Sequence, residues 1–165
     1  MTHIKPSFEE ADKTDAVARE DGITVCFVCT GNTCRSPMAQ AAFNYLFKDI
    51  ANKAYSAGIY AHTGQPISEN AILALSEMSI GKTPEFDYEK HTAVQFSPET
   101  GKLCDRIITM TPVHAMLLIQ AFPEFASKIS SFEREVPDPY MGDISVYKEC
   151  LENIIFQIKK EFGLS

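Results

Sequence analysis

At 165 residues, 45% hydrophobic and 22% charged, the chain fits one ordinary domain with a core large enough to stand without disulfide staples. Its net charge is −7 with a pI near 5.1, and it has no basic run and no interleaving of aromatic and basic residues, so nothing supports a nucleic-acid partner. No apolar stretch approaches the ~20 residues of a membrane span and no charged-then-apolar leader is present, so no membrane partner and a cytoplasmic location are expected.

Residues 1–22 are polar and charged, with little periodic apolar content before Val17. They read as a mobile extension, with a short helix around Phe8 to Ala18 or a partner contact as the alternatives. Residues 23–165 are expected to form a single domain.

The apolar run Ile23, Val25, Cys26, Phe27, Val28 is rich in β-branched residues and stops at Cys29, as a buried strand does. Thr30-Gly31-Asn32-Thr33-Cys34-Arg35-Ser36-Pro37 follows, and Pro37 before Met38-Ala39-Gln40-Ala41-Ala42 marks a helix start. A loop between a strand end and a helix N-terminus gathers unpaired backbone N–H groups at the positive end of the helix dipole, which makes a cradle for an oxyanion. Gly31 offers conformational freedom for the wrap, Asn32 tolerates left-handed geometry, and the planar fork of Arg35 can meet two phosphate oxygens at once. Cys29 is expected at the mouth of this cradle, where dipole, amides and Arg35 all favour a nucleophilic thiolate.

The five cysteines are odd in number and irregularly spaced, which suits a reducing compartment better than a disulfide framework. Cys26 and Cys29 form a C-x-x-C, but on a strand positions three apart face opposite ways, and no second pair completes a metal site. Cys26 is therefore read as a core residue, and no metal or other cofactor is expected.

Further along, Ala42, Phe43, Leu46, Phe47 and Ile50 form a helical stripe, and Ala54 to Ile59 reads as a second strand. Pro66, Ser68, Ala71, Ile72, Leu73, Leu75 and Met78 suggest a second helix closed by Gly81, followed by an irregular stretch to Gly101. Arg106 to Met110 is a third strand, Thr111-Pro112 opens a helix through Leu118, and Lys128 to Phe132 is a short fourth strand. Asp143 or Ser145 caps the last helix, whose buried face is traced by Val146, Tyr147, Cys150, Leu151, Ile154, Ile155 and Ile158. Strands alternating with helices imply an α/β fold, a parallel sheet covered on both faces, with its ligand at the carboxyl ends of the strands, where Cys29 lies.

Cys29, five residues, then Arg35 and Ser36, with Val28 before and Pro37 after, resembles the active-site signature of the low-molecular-weight protein tyrosine phosphatases, a family that includes a protein arginine phosphatase branch. The resemblance runs from about Ile23 to the C-terminus. It implies a three-layer α/β/α fold with a four-stranded parallel sheet, phosphotyrosine protein phosphatase I-like. It also implies hydrolysis of phosphorylated protein substrates by Cys29 through a phosphocysteine.

Such chemistry needs an acid on the far side of phosphorus. Val136-Pro137-Asp138-Pro139-Tyr140 offers Asp138 between two stiffening prolines. By itself Asp-Pro is an ordinary turn signal. The family's acid loop, an Asp-Pro-aromatic near the C-terminus, makes Asp138 the general acid and Tyr140 a wall of the pocket. The resemblance further assigns Asn32, Ser36, Ser56 and His91 to a polar network supporting the loop, with Ser36 also steadying the thiolate. A lone histidine is otherwise a surface or satisfied core residue, and His3, His62 and His114 carry only that reading. Cys34 is either the partner in a protective disulfide with Cys29, a pair many members carry, or a thiol packed beneath the loop.

Substrate features diverge. Tyr140 beside Asp138 suits a phenyl ring, which favours phosphotyrosine. Thr33 stands where tyrosine enzymes usually carry a branched aliphatic residue, and together with Met110-Thr111 it resembles the arginine phosphatase branch. The stretch Asn52-Lys53-Ala54-Tyr55 offers no clear second aromatic wall. Arsenate reductases share the loop but need a further cysteine pair, whereas Cys104 and Cys150 have no near neighbour in sequence. A phosphocarrier must preserve its phosphocysteine, which an arginine clamp and a poised Asp138 would hydrolyse. The oligomeric state is not written in the sequence.

Overall fold

Strand β1, Thr24–Cys29, occupies the middle of the sheet because its side chains are apolar on both faces. Val25, Phe27 and Cys29 enter one core cluster while Cys26 and Val28 enter the other, which is the period-2 alternation of a strand covered on both sides. The computed structural model describes residues 22–49 and 52–163, so the expected mobile extension lies outside the described residues except for Gly22, as does Ile50 of the first helical stripe.

Helix α1, Arg35–Leu46, leads from β1 to β2, Lys53–Gly58. Helix α2, Glu69–Glu77, and a short 3-10 turn at Tyr88–Lys90 follow, then helix α3, Pro98–Leu103, and strand β3, Arg106–Thr109. Helix α4, Pro112–Ala121, and a 3-10 segment, Pro123–Lys128, lead to β4, Ile129–Ser131, and helix α5, Ile144–Glu161, closes the chain. All strand pairings are parallel, in the order β2-β1-β3-β4. The chain turns outward to β2 on one side of β1 and to β3 on the other. That reversal is where open α/β sheets leave a crevice at the strand ends, and Cys29 is the last residue of β1.

One face of the sheet is covered by α1, α2 and α5, with Phe27, Phe43, Phe47, Phe132 and Phe162 all buried together. Phe43 is the hub, its ring centroid 4.6 Å from that of Phe47 and 5.1 Å from that of Phe162. Each such ring contributes up to about 3 kcal/mol by leaving water. On the opposite face Leu118 of α4, Phe96, Phe125 and Cys104 pack on Cys26, Val28 and Ile107. The edge strand β2 is protected by Asn44 of α1, whose Oδ1 accepts from Ala54 N (2.8 Å) and whose Nδ2 donates to Ala54 O (3.3 Å). An amide thus stands in for a neighbouring strand and blunts the edge.

The second helix does not close on Gly81. It ends at Glu77, and Ser79 takes the left-handed conformation, φ 61°. Ile80 N donates to Leu75 O (2.9 Å) and Ser79 N to Ser76 O (3.1 Å), the Schellman pattern with serine where glycine is usual. Gly81 serves a different end, since a Cβ there would stand 3.0 Å from the Tyr45 ring. The stretch expected to be irregular contains α3, with Pro98 in its first turn. The glycine in that short helix hides it in sequence, and it is required because a Cβ at Gly101 would strike the Phe125 ring at 2.3 Å. In α5, Asp143 rather than Ser145 is the cap, accepting from Val146 N at 3.2 Å. Val146 is exposed rather than part of the buried face.

Candidate active site

The loop after β1 closes on its own cysteine. Asn32 N donates to Cys29 Sγ at 3.3 Å, and Ser36 Oγ, in the first turn of α1, lies 2.9 Å from the same sulfur. Cys29 is only 2% exposed, so it occupies the floor of the loop rather than the mouth that the sequence suggested. The backbone wraps around the sulfur, and a residue enclosed by its own loop keeps little surface.

The wrap depends on Asn32, not Gly31. Asn32 is the residue with positive φ (59°), and Gly31 is absent from the left-handed region that its freedom was expected to serve. A Cβ at Gly31 would meet nothing nearer than Thr33 Oγ1 at 3.9 Å. The glycine that packing does require is Gly58 at the end of β2, where a Cβ would stand 2.6 Å from Thr30 O and 3.2 Å from Asn32 N. The loop lies directly on the neighbouring strand.

Asn32 is fully buried and both polar atoms of its side chain are hydrogen-bonded. Nδ2 donates to Ser36 Oγ (2.8 Å) and Ser56 Oγ (2.9 Å), and Oδ1 accepts from Val94 N (2.9 Å). Its carbonyl accepts from His91 Nε2 at 2.9 Å, which fixes the proton of His91 on that nitrogen. Burial lowers the His91 pKa, and the bond to the Asn32 carbonyl partly offsets this. Asn32, Ser36, Ser56 and His91 are thus gathered into one network from four parts of the chain. A buried polar network with every hydrogen bond made holds one geometry and strongly disfavours others.

Arg35 is 5% exposed and begins α1. Its Nη1 donates to Val136 O at 3.1 Å, while Nη2 lies 3.5 Å from Thr30 Oγ1 and 3.7 Å from Asp138 Oδ2. The carboxylate is therefore delivered opposite the loop by the segment after β4. Asp138 Oδ1 accepts from Tyr140 N at 3.0 Å, and Gly142 N donates to Pro139 O at 2.8 Å. Between them Met141 is left-handed, φ 71°, and highly exposed, while Tyr140 is 69% exposed beside the acid. Two local hydrogen bonds and two prolines hold Asp138 without burying it.

A family model described as low molecular weight phosphotyrosine protein phosphatase matches residues 24–162. The chain belongs to this family. It is 31% identical over 153 residues to a protein-arginine-phosphatase of Bacillus subtilis (strain 168), covering 83% of this chain and 95% of that one. It is 32% identical over 142 residues to the low molecular weight protein-tyrosine-phosphatase PtpB of Staphylococcus haemolyticus (strain JCSC1435), covering 82% and 95%. The crystal structure of a low molecular weight protein tyrosine phosphatase from T. tengcongensis superposes with a TM-score of 0.78 at 35% identity, covering 86% of this chain and 99% of that one. The expected family and its four-stranded α/β fold are both borne out.

Three residues around the site of this low-molecular-weight phosphatase family member were not singled out by its sequence. Gln40, one helical turn after Ser36, accepts from Ser56 Oγ at 2.6 Å and extends the network; a polar residue four after Ser36 within an apolar helix was the available signal. Tyr147 of α5 places its hydroxyl 3.3 Å from Cys34 Sγ and accepts from Ser68 Oγ at 3.2 Å. Burial and the Cys34 contact push the Tyr147 pKa up to about 12, and burial raises that of Cys34. All five cysteines are free thiols. Cys104 lies in the core cluster on the opposite sheet face from Cys29. The third is His114, whose Nε2 is 2.9 Å from Thr30 Oγ1. Among the described residues no helix is long and apolar enough to cross a membrane.

Proposed function

We propose that this chain is a cytoplasmic, cysteine-dependent protein phosphatase that hydrolyses phosphotyrosine on protein substrates through a phosphocysteine intermediate. The observation that carries the reading is the arrangement of three groups on the loop after β1 and on the segment whose carboxylate reaches its arginine. Cys29 Sγ lies under the Asn32 amide, Arg35 begins the following helix, and the Asp138 carboxylate stands 3.7 Å from the guanidinium. Family membership supports the same chemistry.

The Cys29 thiolate attacks phosphorus in line, forming the S–P bond as the ester P–O bond breaks, and Asp138 in its acid form gives its proton to the departing oxygen. Asp138, now a carboxylate, takes a proton from water as that water attacks the phosphocysteine. Inorganic phosphate and free Cys29 result. Arg35 and the amides of the Thr30, Gly31, Asn32, Thr33, Cys34, Arg35 and Ser36 loop stabilise the charge on the transferring group throughout. Ser56 and His91 act one layer out, through Asn32. Tyr140 and Thr33 border the substrate.

Phosphoarginine is the second reading. It is favoured by Thr33 and by the similarity to the Bacillus subtilis protein-arginine-phosphatase. Turnover of matched tyrosine- and arginine-phosphorylated peptides, by wild type and Thr33→Ile, separates the two. Faster release from phosphotyrosine, little changed by Thr33→Ile, supports the first reading. Faster release from phosphoarginine that is lost in Thr33→Ile supports the second, and no release from either overturns both.

A further inference from the structure

Thr30 and His114 belong to different elements, yet Thr30 Oγ1 lies 2.9 Å from His114 Nε2 and 3.5 Å from Arg35 Nη2. His114 is 7% exposed, and its Nδ1 is enclosed without a hydrogen-bond partner among the described residues. Among those residues the Thr30 hydroxyl is therefore the single hydrogen-bond partner of the imidazole.

The ring is presented from a fixed support. Thr111 Oγ1 caps α4 by accepting from His114 N (3.1 Å), and Thr111 O accepts from Thr109 Oγ1 (2.7 Å) at the end of β3. A hydroxyl carries one donor and two acceptor sites, so Thr30 can accept from Arg35 and still bond the imidazole in either tautomer. Burial, and then the positive charge of Arg35, lower the His114 pKa to about 4, with Asp138 opposing. The ring is neutral at neutral pH and adds no second cation beside the guanidinium.

We propose that His114 is a positioning residue: through Thr30 Oγ1 it holds the Nη2 edge of Arg35, so that the guanidinium fork meets the phosphoryl oxygens already oriented. Arg35 Nη1 is anchored separately on Val136 O, and an arginine fork held at both ends loses less freedom when it binds an oxyanion. The inference rests on the phosphatase reading above.

The test is the inhibition constant of inorganic phosphate, measured with kcat on an aryl phosphate, for wild type, Thr30→Val, His114→Leu, the double variant and His114→Gln. Each single loss is expected to weaken phosphate inhibition about tenfold, the cost of a hydrogen bond in a charged network. The double variant should be no worse than either single, because one chain of contacts is being cut twice. His114→Gln, whose amide can reach the same oxygen, should recover most of the affinity. Thr30→Val also removes the direct contact of Thr30 with Arg35. Where His114→Leu fails to fold, the deciding variant is therefore His114→Asn, whose shorter amide stops short of the Nε2 position and should weaken phosphate inhibition as Thr30→Val does. Wild-type inhibition in His114→Asn would overturn the proposal. Wild-type inhibition in Thr30→Val, additive losses in the double variant, or no recovery in His114→Gln would each overturn the proposal. A wild-type protein with neither turnover nor phosphate inhibition would instead overturn the phosphatase reading itself, and this inference with it.

Discussion

Ser36 Oγ stands 2.9 Å from Cys29 Sγ while accepting from Asn32 Nδ2 at 2.8 Å. With the amide supplying a proton to the hydroxyl oxygen, the hydroxyl's own proton is free for the sulfur, and the competing acceptor, Ala57 O, is farther away at 3.4 Å. A hydrogen bond to a charged group contributes about 1.5–3 kcal/mol. Ser36→Ala is therefore expected to slow alkylation of Cys29 by iodoacetamide at pH 6 by about tenfold or more. An unchanged rate at that pH would show that the hydroxyl does not stabilise the thiolate.

Asp138 is held by its own turn rather than by burial, so it can be replaced without disturbing the core. Asp138→Asn is expected to cut kcat by about 10²–10⁴ for substrates with poor leaving groups, and by less for an aryl phosphate that departs as a stable phenolate. Cys29→Ser should abolish turnover yet keep phosphate binding, measurable by calorimetry. Equal losses for Asp138→Asn across leaving groups would remove Asp138 from the acid role.

Gly58 is where the loop rests on β2. Gly58→Ala puts a methyl 2.6 Å from Thr30 O and 3.2 Å from Asn32 N, both backbone atoms that move only if the loop moves. A displacement approaching 1 Å costs on the order of 10²-fold in rate. Steady-state kinetics should show a loss of that order with the far-ultraviolet circular dichroism preserved; near-normal kcat/KM would mean that the loop tolerates the shift.

The lowered pKa of His114 has a consequence for stability. Its folded value of about 4 lies below the ordinary 6.5, so the unfolded chain binds the extra proton first. The associated stability is complete above pH 6.5 and is lost as pH falls toward 4, by no more than about 3 kcal/mol. His91, shifted in the same direction, adds to the slope. Thermal midpoints measured from pH 7 to pH 4 should fall less steeply in His114→Gln than in wild type. Parallel curves would place the proton uptake elsewhere.

The sequence disclosed what rests on local pattern. The β1 run and the loop chemistry are each contiguous, so their residue types and spacing carry the message, whereas the Asp-Pro pair reads only as a turn until the family resemblance makes Asp138 the acid. What it concealed depends on distant segments meeting. Ser79 takes a glycine's role in closing α2 because Ile80 has a core to enter. Gly101 sits within a helix because a phenylalanine ring from another segment lies over it. His114 looks like any helical histidine until the fold brings Thr30 against it. Gly31 misled in the opposite direction, since glycine permits left-handed backbone without requiring it, and the neighbouring asparagine took that conformation.

Helix α5 starts at the Asp143 cap, just beyond the turn that carries Asp138, and its far end is tied to the base of β3 by the Arg106–Glu161 ion pair. Its 18 residues make a rod about 27 Å long, joining the reactive rim of the molecule to the rim farthest from it. Trimming the chain back by one turn from Glu161 is expected to loosen that rod, lowering kcat together with the melting temperature. On that outcome, proton delivery at one end of α5 depends on an ion pair made at the other.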